Sequence, residues 1–301
     1  MSTPKPIARI VSVCSKKDID AWSLACRSIL RYIDAKEYLV VVPDNEIDLF
    51  RSITCQPYKV IPESFYIGNL KERLKELLPT DNHDRIGWYL QQFIKIEAAK
   101  STQLGEDPQQ LVLIWDADTV PLKKLSFIDV RGRVLYYSGT ENHVPYFDFI
   151  KKIFPWAARQ EFSFIAQCFP AKISWIRDFC GELESGNRGW VESIIANLDR
   201  SQRAGFSEYE SMGTYIWDKY SDQVALNNHA WERNGRSLVG KPGNLSTLEF
   251  AGLANFFDFI SFEAWDVNRG FRAHIKARWR RLKLSRIGMK GDKNGDVEGN
   301  V

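Results

Sequence analysis

The sequence predicts an α/β protein built on a mostly parallel central sheet flanked by helices. Residues 7–13 (IARIVSV) form a β-branched apolar run, residues 18–33 follow with helical periodicity and Asp18 as N-cap, and a second apolar run occupies 38–42. Strands that alternate with helices at this spacing are typical of a doubly wound parallel sheet. Because ligands of such sheets bind at the carboxyl ends of the strands, polar residues directly after a strand are the first functional candidates.

The alternation continues to about residue 125 and then becomes less regular. A short third strand is expected at 57–61, a helix at 85–100 and a fully apolar strand at 111–115. The later predicted elements are strands at 133–139 and 162–170, an aromatic loop at 143–157, and helices at 171–184 and 207–220. The Gly-, Asp- and Asn-rich residues 288–301 are expected to form a disordered tail.

The totals favour a single elaborated domain. The chain has 301 residues, 44% of them hydrophobic and 26% charged, which is ordinary for a globular protein. Its five cysteines are scattered and form no CxxC pair, so we expect reduced thiols in a reducing compartment. The N-terminus lacks the pattern of a signal peptide, and no run of about 18 apolar residues is present. We therefore expect a cytoplasmic protein.

The stretch LVLIWDADTVPL carries two carboxylates, Asp116 and Asp118, directly after a strand. Side chains two positions apart share a face while the chain is extended. Two carboxylates on one face, with positions left for phosphate oxygens, suit Mg²⁺ or Mn²⁺. Such an ion would neutralise charge on a departing nucleoside diphosphate. The alternative is that both residues only cap a polar turn.

The helix at 85–100 presents an unusual polar face. Trp88, Gln91, Gln92 and Lys95 recur at helical spacing, opposite an apolar stripe. Amide donors, one cation and an aromatic ring suit a nucleotide, with Lys95 near phosphate and Gln91 or Gln92 near a sugar. A partly buried packing face is the alternative interpretation.

Three segments in order resemble a known enzyme family. GWYLQQFIKIEAAK (87–100), LIWDADTVP (113–121) and GFSEYESMGTY (205–215) resemble GT-A-fold glycosyltransferases with a DxD motif, in particular bacterial capsule- or lipopolysaccharide-type enzymes. The resemblance spans roughly residues 7–265. It implies a GT-A-like sheet, a nucleoside-diphosphate-sugar donor (UDP by default), and a divalent metal with Asp118 as primary and Asp116 as supporting ligand.

In this family a carboxylate in the second half of the domain acts as base in inverting enzymes, and the resemblance places it at Glu208 or Glu210. The pattern Ser207-x-x-Glu210 fits a helix capping box, which gives Glu210 a structural alternative. Glu208 has no such duty and is the preferred base, because an attacking hydroxyl must lose its proton. The resemblance further implies a histidine ligand from the C-terminal half. His229 is the candidate, with a surface loop histidine as the alternative.

Residues 271–286 (FRAHIKARWRRLKLSR) carry seven Lys and Arg and no acidic residue. Phe271, Ile275, Trp279 and Leu282 recur at nearly helical spacing, which predicts a basic amphipathic helix over 271–287. Such a helix suits an anionic membrane surface, so a peripheral position on the inner face of the cytoplasmic membrane is one expectation. The alternative is a helix packed on the body. The excess of basic over acidic charge is confined to this segment, because residues 1–270 are slightly acidic overall, so we expect no nucleic-acid partner.

These features predict a metal-dependent glycosyltransferase, with inversion as the preferred stereochemistry, acting on a glycan or lipid-linked saccharide. We expect one catalytic domain over 1–270, with a nucleotide-binding half at 1–125 and a smaller acceptor half at 126–270. One alternative is a nucleotidyltransferase acting on sugar phosphates, although its usual Gly-rich N-terminal loop is absent. The other is a non-catalytic membrane-docking protein of the same fold.

Overall fold

The computed structural model describes residues 7–101, 106–184, 186–266, 280–285 and 287. The strands are β1 Ile7–Val13, β2 Ala35–Val42, β3 Lys59–Pro62, β4 Leu111–Trp115, β5 Thr119–Pro121, β6 Val134–Tyr136, β7 Cys168–Lys172, β8 Val224–Leu226 and β9 Phe259–Ser261. The helices are α1 Ile19–Tyr32, α2 Ile47–Ile53, α3 Ser64–Ile67, α4 Leu70–Leu77, α5 Ile86–Lys100, α6 Val144–Ile153, α7 Ile173–Leu183, α8 Trp190–Asn197, α9 Glu208–Lys219, α10 Gly235–Val239 and α11 Thr247–Ala254.

The central sheet has the strand order β3-β2-β1-β4-β7. The first four strands are parallel, and β7 pairs with β4 in the antiparallel direction at the edge. Nearly every residue of β1 and all of β4 are buried, as expected for strands covered by helices on both faces. The predicted α/β class with a mostly parallel sheet is confirmed. Two small two-stranded sheets, β5-β9 and β6-β8, accompany it.

The helix α5 brings the sequence-predicted polar face to the sheet edge. Its apolar stripe (Ile86, Leu90, Phe93 and Ile94) is buried, as the periodicity predicts. The helix packs against β1 and β4, and its Lys95 lies 2.6 Å from Asp116, the residue directly after β4.

Two predictions for the second half are wrong. The segment 143–157 is not a loop, because Val144–Ile153 forms α6 with a proline in its first turn and with Phe149 and Ile150 buried. The aromatic density of this segment concealed its helical spacing. The strand predicted at 162–170 begins only at Cys168, because Gln167 adopts a positive φ of 61° that interrupts the extended chain.

The described part of the basic C-terminal segment packs on the body. The Arg281 guanidinium binds Glu249 on α11 at 2.6 Å, and Leu284 is buried next to Gly252. These contacts favour the packed interpretation for residues 280–285. Residues 271–279, with three of the four apolar positions of the predicted stripe, and the predicted tail at 288–301 lie outside the described residues. Among the residues that are described, no helix combines the length and apolar character needed to cross a bilayer.

We expect Arg281→Met to lower the free energy of unfolding by about 1 kcal/mol, because it removes a charge-assisted bond to Glu249. Lys283 is exposed on the same helical turn, so Lys283→Met is the matched control and should change stability by less than about 0.5 kcal/mol. Urea unfolding of both variants measures the difference. Equal stabilities would mean that this segment is not held on the body in solution.

Candidate functional site

A polar cleft of about 460 Å³ opens at the carboxyl end of β4, and we term it the first cleft. The sequence-predicted residues that line it are Trp88, Gln91, Gln92, Lys95, Asp116, Asp118 and Glu208. Three separate segments of the chain thus meet at one edge of the sheet, as expected for ligand sites in parallel sheets.

Asp116 is fixed by both its backbone and its carboxylate. Its backbone N–H donates to the carbonyl of Gln167 at 2.9 Å. Its Oδ1 lies 2.6 Å from Lys95 Nζ and accepts a hydrogen bond from the Tyr209 hydroxyl at 2.6 Å. One carboxylate oxygen is therefore committed to protein partners.

Among the described residues, Asp118 has no cationic partner of this kind. The hydrogen bonds that its Oδ1 accepts there are long ones, from the hydroxyls of Ser261 at 3.2 Å and Thr119 at 3.3 Å. Burial, together with the negative charges of Asp116 and Glu263, raises the pKa of Asp118 to about 8. The site therefore favours either a proton or a cation next to this carboxylate.

Because the raised pKa means that ionised Asp118 is unfavourable in the folded protein, we predict that Asp118→Asn stabilises the ligand-free protein. A carboxyl group whose pKa is raised on folding makes folding less favourable as pH rises from its unfolded pKa, about 4, to its folded pKa of about 8. We expect the Tm of the variant in EDTA to exceed that of the parent by about 2–6 °C at pH 8.5 and by less at pH 5. Asp48→Asn, at an exposed position of α2, is the control and should leave Tm unchanged at both pH values. A gain that does not grow with pH would contradict the assignment.

Lys95 joins two acidic residues of the cleft. Its Nζ lies 2.8 Å from Glu208 Oε1 in addition to its contact with Asp116, and it sits 4.5 Å from the centre of the Tyr209 ring. Burial alone lowers the pKa of Lys95, but the two carboxylates outweigh it and hold the pKa above its usual range. Lys95 is thus a permanent cation that fixes the relative position of Asp116 and Glu208.

Glu208 and Glu210 have different surroundings. Glu208 lines the first cleft, and burial raises its pKa although the Lys95 charge opposes the shift. Glu210 points to the loop before β7, where its carboxylate accepts hydrogen bonds from Ser163 Oγ at 2.5 Å and Phe164 N–H at 3.1 Å. The backbone N–H of Glu210 donates a hydrogen bond to Ser207 Oγ, the N-cap of α9, at 3.3 Å. Glu210 therefore has a structural role in these contacts.

The two glutamine side chains predicted to bind ligand on α5 also have different surroundings. Both ends of the Gln92 amide are used by backbone groups, since it accepts from Glu208 N–H at 2.9 Å and donates to the Trp88 carbonyl at 3.2 Å. Gln92 thereby holds the start of α9. Gln91 and Trp88 instead border both the first cleft and a neighbouring one, and Trp88 lies under the Arg85 guanidinium at 4.5 Å.

The neighbouring space, which we term the second cleft, encloses about 450 Å³ beyond the end of β1. It is lined by residues 13–18, at and directly after the end of β1, by Pro43 and Glu46 after β2, and by the start of α5. Asp18, Arg85, Trp88 and Gln91 border both clefts, so the two form one continuous groove. A ligand longer than a monosaccharide can span them.

The structure does not bring His229 to either cleft. Its Nδ1 lies 2.9 Å from Asp258 Oδ2, and its side chain is 69% exposed. These are the features of the surface loop histidine that the sequence offered as the alternative to a metal ligand.

Several cleft residues were not predicted from the sequence: Asp18 as a cleft residue, Tyr209, Gln167, Glu141, Arg233 and Glu263. Asp18 occupies the predicted N-cap position of α1, but its side chain makes no capping bond there. Tyr209 lies between the two glutamates of a segment already singled out, so adjacency was an available signal. Arg233 and Glu263 lie far along the chain from the motifs, and no local pattern marks them.

The fold and the cleft define an α/β protein with a carboxylate-rich groove at the carboxyl end of its sheet. The chain belongs to a family described as a family of unknown function (DUF6492), whose model matches residues 6–276. None of the curated proteins compared with the chain matches it.

Solved structures similar to the chain include three glycosyltransferases. Mouse xyloside xylosyltransferase 1 in its apo form has 10% identity and a TM-score of 0.47, covering 87% of this chain and 99% of that one. An active-site mutant of LgtC has 13% identity and a TM-score of 0.45, covering 94% and 95%. The bifunctional glycosyltransferase WbbM in its apo form has 12% identity and a TM-score of 0.36, covering 96% of this chain and 53% of that one.

Proposed function

We propose that the protein is a GT-A-type glycosyltransferase that moves a sugar from a nucleoside-diphosphate sugar to a carbohydrate acceptor. The observation that carries the proposal is the set Asp116, Asp118, Lys95 and Glu208 around one cleft at the end of β4. The set supplies an anionic position for a cation, a fixed positive charge and a separate carboxylate for proton transfer.

A divalent metal fits Asp118 first and Asp116 second. Both are hard oxygen donors, and Asp118 is a half-buried carboxylate whose hydrogen bonds from the described part of the chain are two long ones from hydroxyls. Within the described ranges, no three acidic, histidine or cysteine side chains come close enough to form a complete metal site. That is the pattern expected for Mg²⁺ or Mn²⁺ held by one or two carboxylates together with substrate phosphates. Such an ion supplies Lewis-acid stabilisation of the leaving diphosphate.

The second cleft suits the nucleoside. It lies beyond the end of β1 and is continuous with the first cleft. Its lining has four basic side chains (Lys16, Lys17, Lys71 and Arg85) and four acidic ones (Asp18, Glu46, Glu63 and Asp84). A nucleoside there would direct its diphosphate past Asp18 toward Asp118. Gln91 and Trp88, at the border of the clefts, would contact the ribose or the phosphates. UDP is the default nucleotide, by the resemblance seen in the sequence.

Glu208 is the proposed base. The acceptor hydroxyl attacks the anomeric carbon, its proton passes to a Glu208 carboxylate oxygen, and the bond between that carbon and the diphosphate oxygen breaks. A base is most effective when its pKa is near the working pH, and burial raises the pKa of Glu208 in that direction. One displacement of this kind inverts the anomeric configuration.

We expect Glu208→Gln to lower the rate of sugar transfer by about 10²-fold, because the amide cannot accept the proton. Glu210→Gln is the matched control, two residues along the same helix but outside the first cleft, and should change the rate by less than about threefold. The released nucleoside diphosphate is measured for both. Equal losses, or a larger loss in Glu210→Gln, would remove Glu208 from this role.

Incubation of the purified chain with UDP-glucose, UDP-galactose and UDP-N-acetylglucosamine, with Mn²⁺ or with EDTA, tests the proposal. We expect slow transfer to water to release UDP from at least one donor in Mn²⁺ and not in EDTA. GDP- and CMP-linked sugars extend the screen to other bases. If no nucleotide sugar is cleaved but a nucleoside triphosphate and a sugar phosphate yield pyrophosphate, the protein is a nucleotidyltransferase. If neither reaction occurs and no nucleotide raises the Tm, the non-catalytic alternative holds.

A further inference from the structure

We infer that Trp265 is the platform on which the acceptor carbohydrate binds, with one pyranose ring stacked on the indole. This inference rests on the proposed function and assigns the acceptor side of the same groove. Of the large apolar side chains exposed among the described residues, Trp265 is the one that lines the first cleft. It is 60% exposed there, so a broad aromatic surface faces the site where the sugar would be transferred.

The indole of Trp265 is held in place. Its Nε1–H donates to Glu263 Oε2, and the Arg233 guanidinium lies 5.5 Å from the ring centre. Arg233 is itself bound to Glu263 at 2.5 Å and to Glu141 at 2.8 Å. These two contacts of the ring fix the orientation of the exposed indole, and a ring on which a sugar stacks needs a fixed orientation.

Gln167 connects Glu263, which holds the indole, to Asp116 of the acidic pair. The side-chain Nε2 of Gln167 donates to Glu263 Oε1 at 3.0 Å. Its backbone carbonyl accepts a hydrogen bond from the backbone N–H of Asp116. Gln167 makes both contacts from a left-handed backbone conformation, with φ at 61°, which is unfavourable for a residue with a side chain. Strain of this kind persists where the surrounding structure imposes it, and it concentrates at functional sites.

The division of the groove places the acceptor rather than the donor at Trp265. Trp265 borders the first cleft but not the second, where the nucleoside is proposed to lie. The base Glu208 and the rim residues Glu141 and Arg233 line the first cleft together with Trp265. A sugar stacked on the indole would present its hydroxyls to a guanidinium and a carboxylate, which are complementary donors and acceptors. A carbohydrate, with apolar C–H faces and polar edges, matches this surface.

The test compares Trp265→Ala, Trp265→Phe and Phe256→Ala. Phe256 is 54% exposed and lines neither cleft, which makes it the matched control. The parent and the variants are applied to a microarray of immobilised bacterial oligosaccharides in UDP and Mn²⁺. We expect the parent to bind at least one glycan, Trp265→Ala to lose at least tenfold in apparent affinity, Trp265→Phe to lose less, and Phe256→Ala to match the parent. Circular dichroism verifies that each variant is folded.

Slow release of UDP from the donors in water is measured on the same proteins. We expect the loss of glycan binding in Trp265→Ala to exceed any loss of this release by at least tenfold. Comparable losses would place Trp265 on the donor side and overturn the inference. It is also overturned if the parent binds no glycan more strongly than Trp265→Ala does. Absence of UDP release from the parent would instead contradict the proposed function, and the array still decides whether Trp265 binds carbohydrate.

Discussion

Replacement of Asp118 by alanine is expected to abolish metal-dependent cleavage of the sugar nucleotide, with a loss of about 10³-fold in rate. Metal stabilisation of a leaving diphosphate contributes several kcal/mol to the transition state, and each 1.36 kcal/mol corresponds to a factor of ten. In the described ranges, Asp118 is the carboxylate of the pair whose hydrogen bonds are long ones from hydroxyls, whereas Asp116 binds Lys95 and Tyr209 at 2.6 Å, so Asp118 is the one proposed to bind a cation. Release of UDP across a Mn²⁺ titration measures the effect.

The control for Asp118→Ala is Asp48→Ala, at an exposed position on α2 where the carboxylate is 99% exposed. It should retain the parent rate within about twofold. The Asp118 variant should also lose the dependence of nucleotide binding on Mn²⁺. Turnover by Asp118→Ala at the parent rate would show that the acidic pair is only a polar turn at the end of β4.

Replacement of Lys95 by methionine is expected to have the largest effect on stability. The change leaves Asp116 and Glu208 close together with no cation between them, and removal of one partner from a buried ion pair costs about 3–5 kcal/mol. The uncompensated negative charges repel each other most when both carboxylates are ionised, so the loss of stability should be greater at pH 8 than at pH 5. Urea unfolding at both pH values measures it.

Lys100→Met provides the matched control on the same helix. Lys100 pairs with Glu97 at 3.1 Å in a partly exposed position, where an ion pair contributes at most about 1 kcal/mol. If Lys95→Met costs no more than Lys100→Met, Lys95 does not organise the cleft. If its cost is large but does not depend on pH, the loss arises from packing rather than from the two carboxylates.

The sequence predicted the parts of the molecule that depend on local pattern. The buried strand before Asp116 and the face of α5 that carries Lys95 follow from hydrophobic periodicity, and topology then brings their ends to the same edge. The capping pattern already favoured Glu208 over Glu210 as the base, but the contacts that hold the Glu210 carboxylate are visible only in three dimensions. Glu210 meets Ser163 and Phe164, which lie more than 40 residues away.

The remaining errors have physical causes. The helix α6 was missed because its aromatic residues obscured a helical spacing, and the length of β7 was overestimated because nothing local shows that Gln167 takes a positive φ. The network of Glu263, Arg233 and Trp265 depends on contacts between segments distant in sequence, which a single sequence does not reveal. The division of the chain at residue 125 stays a prediction.

Calorimetric titration of UDP into the protein, in Mn²⁺ and in EDTA, tests most directly whether the two acidic side chains hold a cation against a nucleotide's phosphates. The account predicts binding that is at least tenfold tighter in Mn²⁺ for the parent, and no difference between Mn²⁺ and EDTA for Asp118→Ala. Equal affinities of the parent in both conditions, or a full effect of Mn²⁺ retained in the variant, would contradict it.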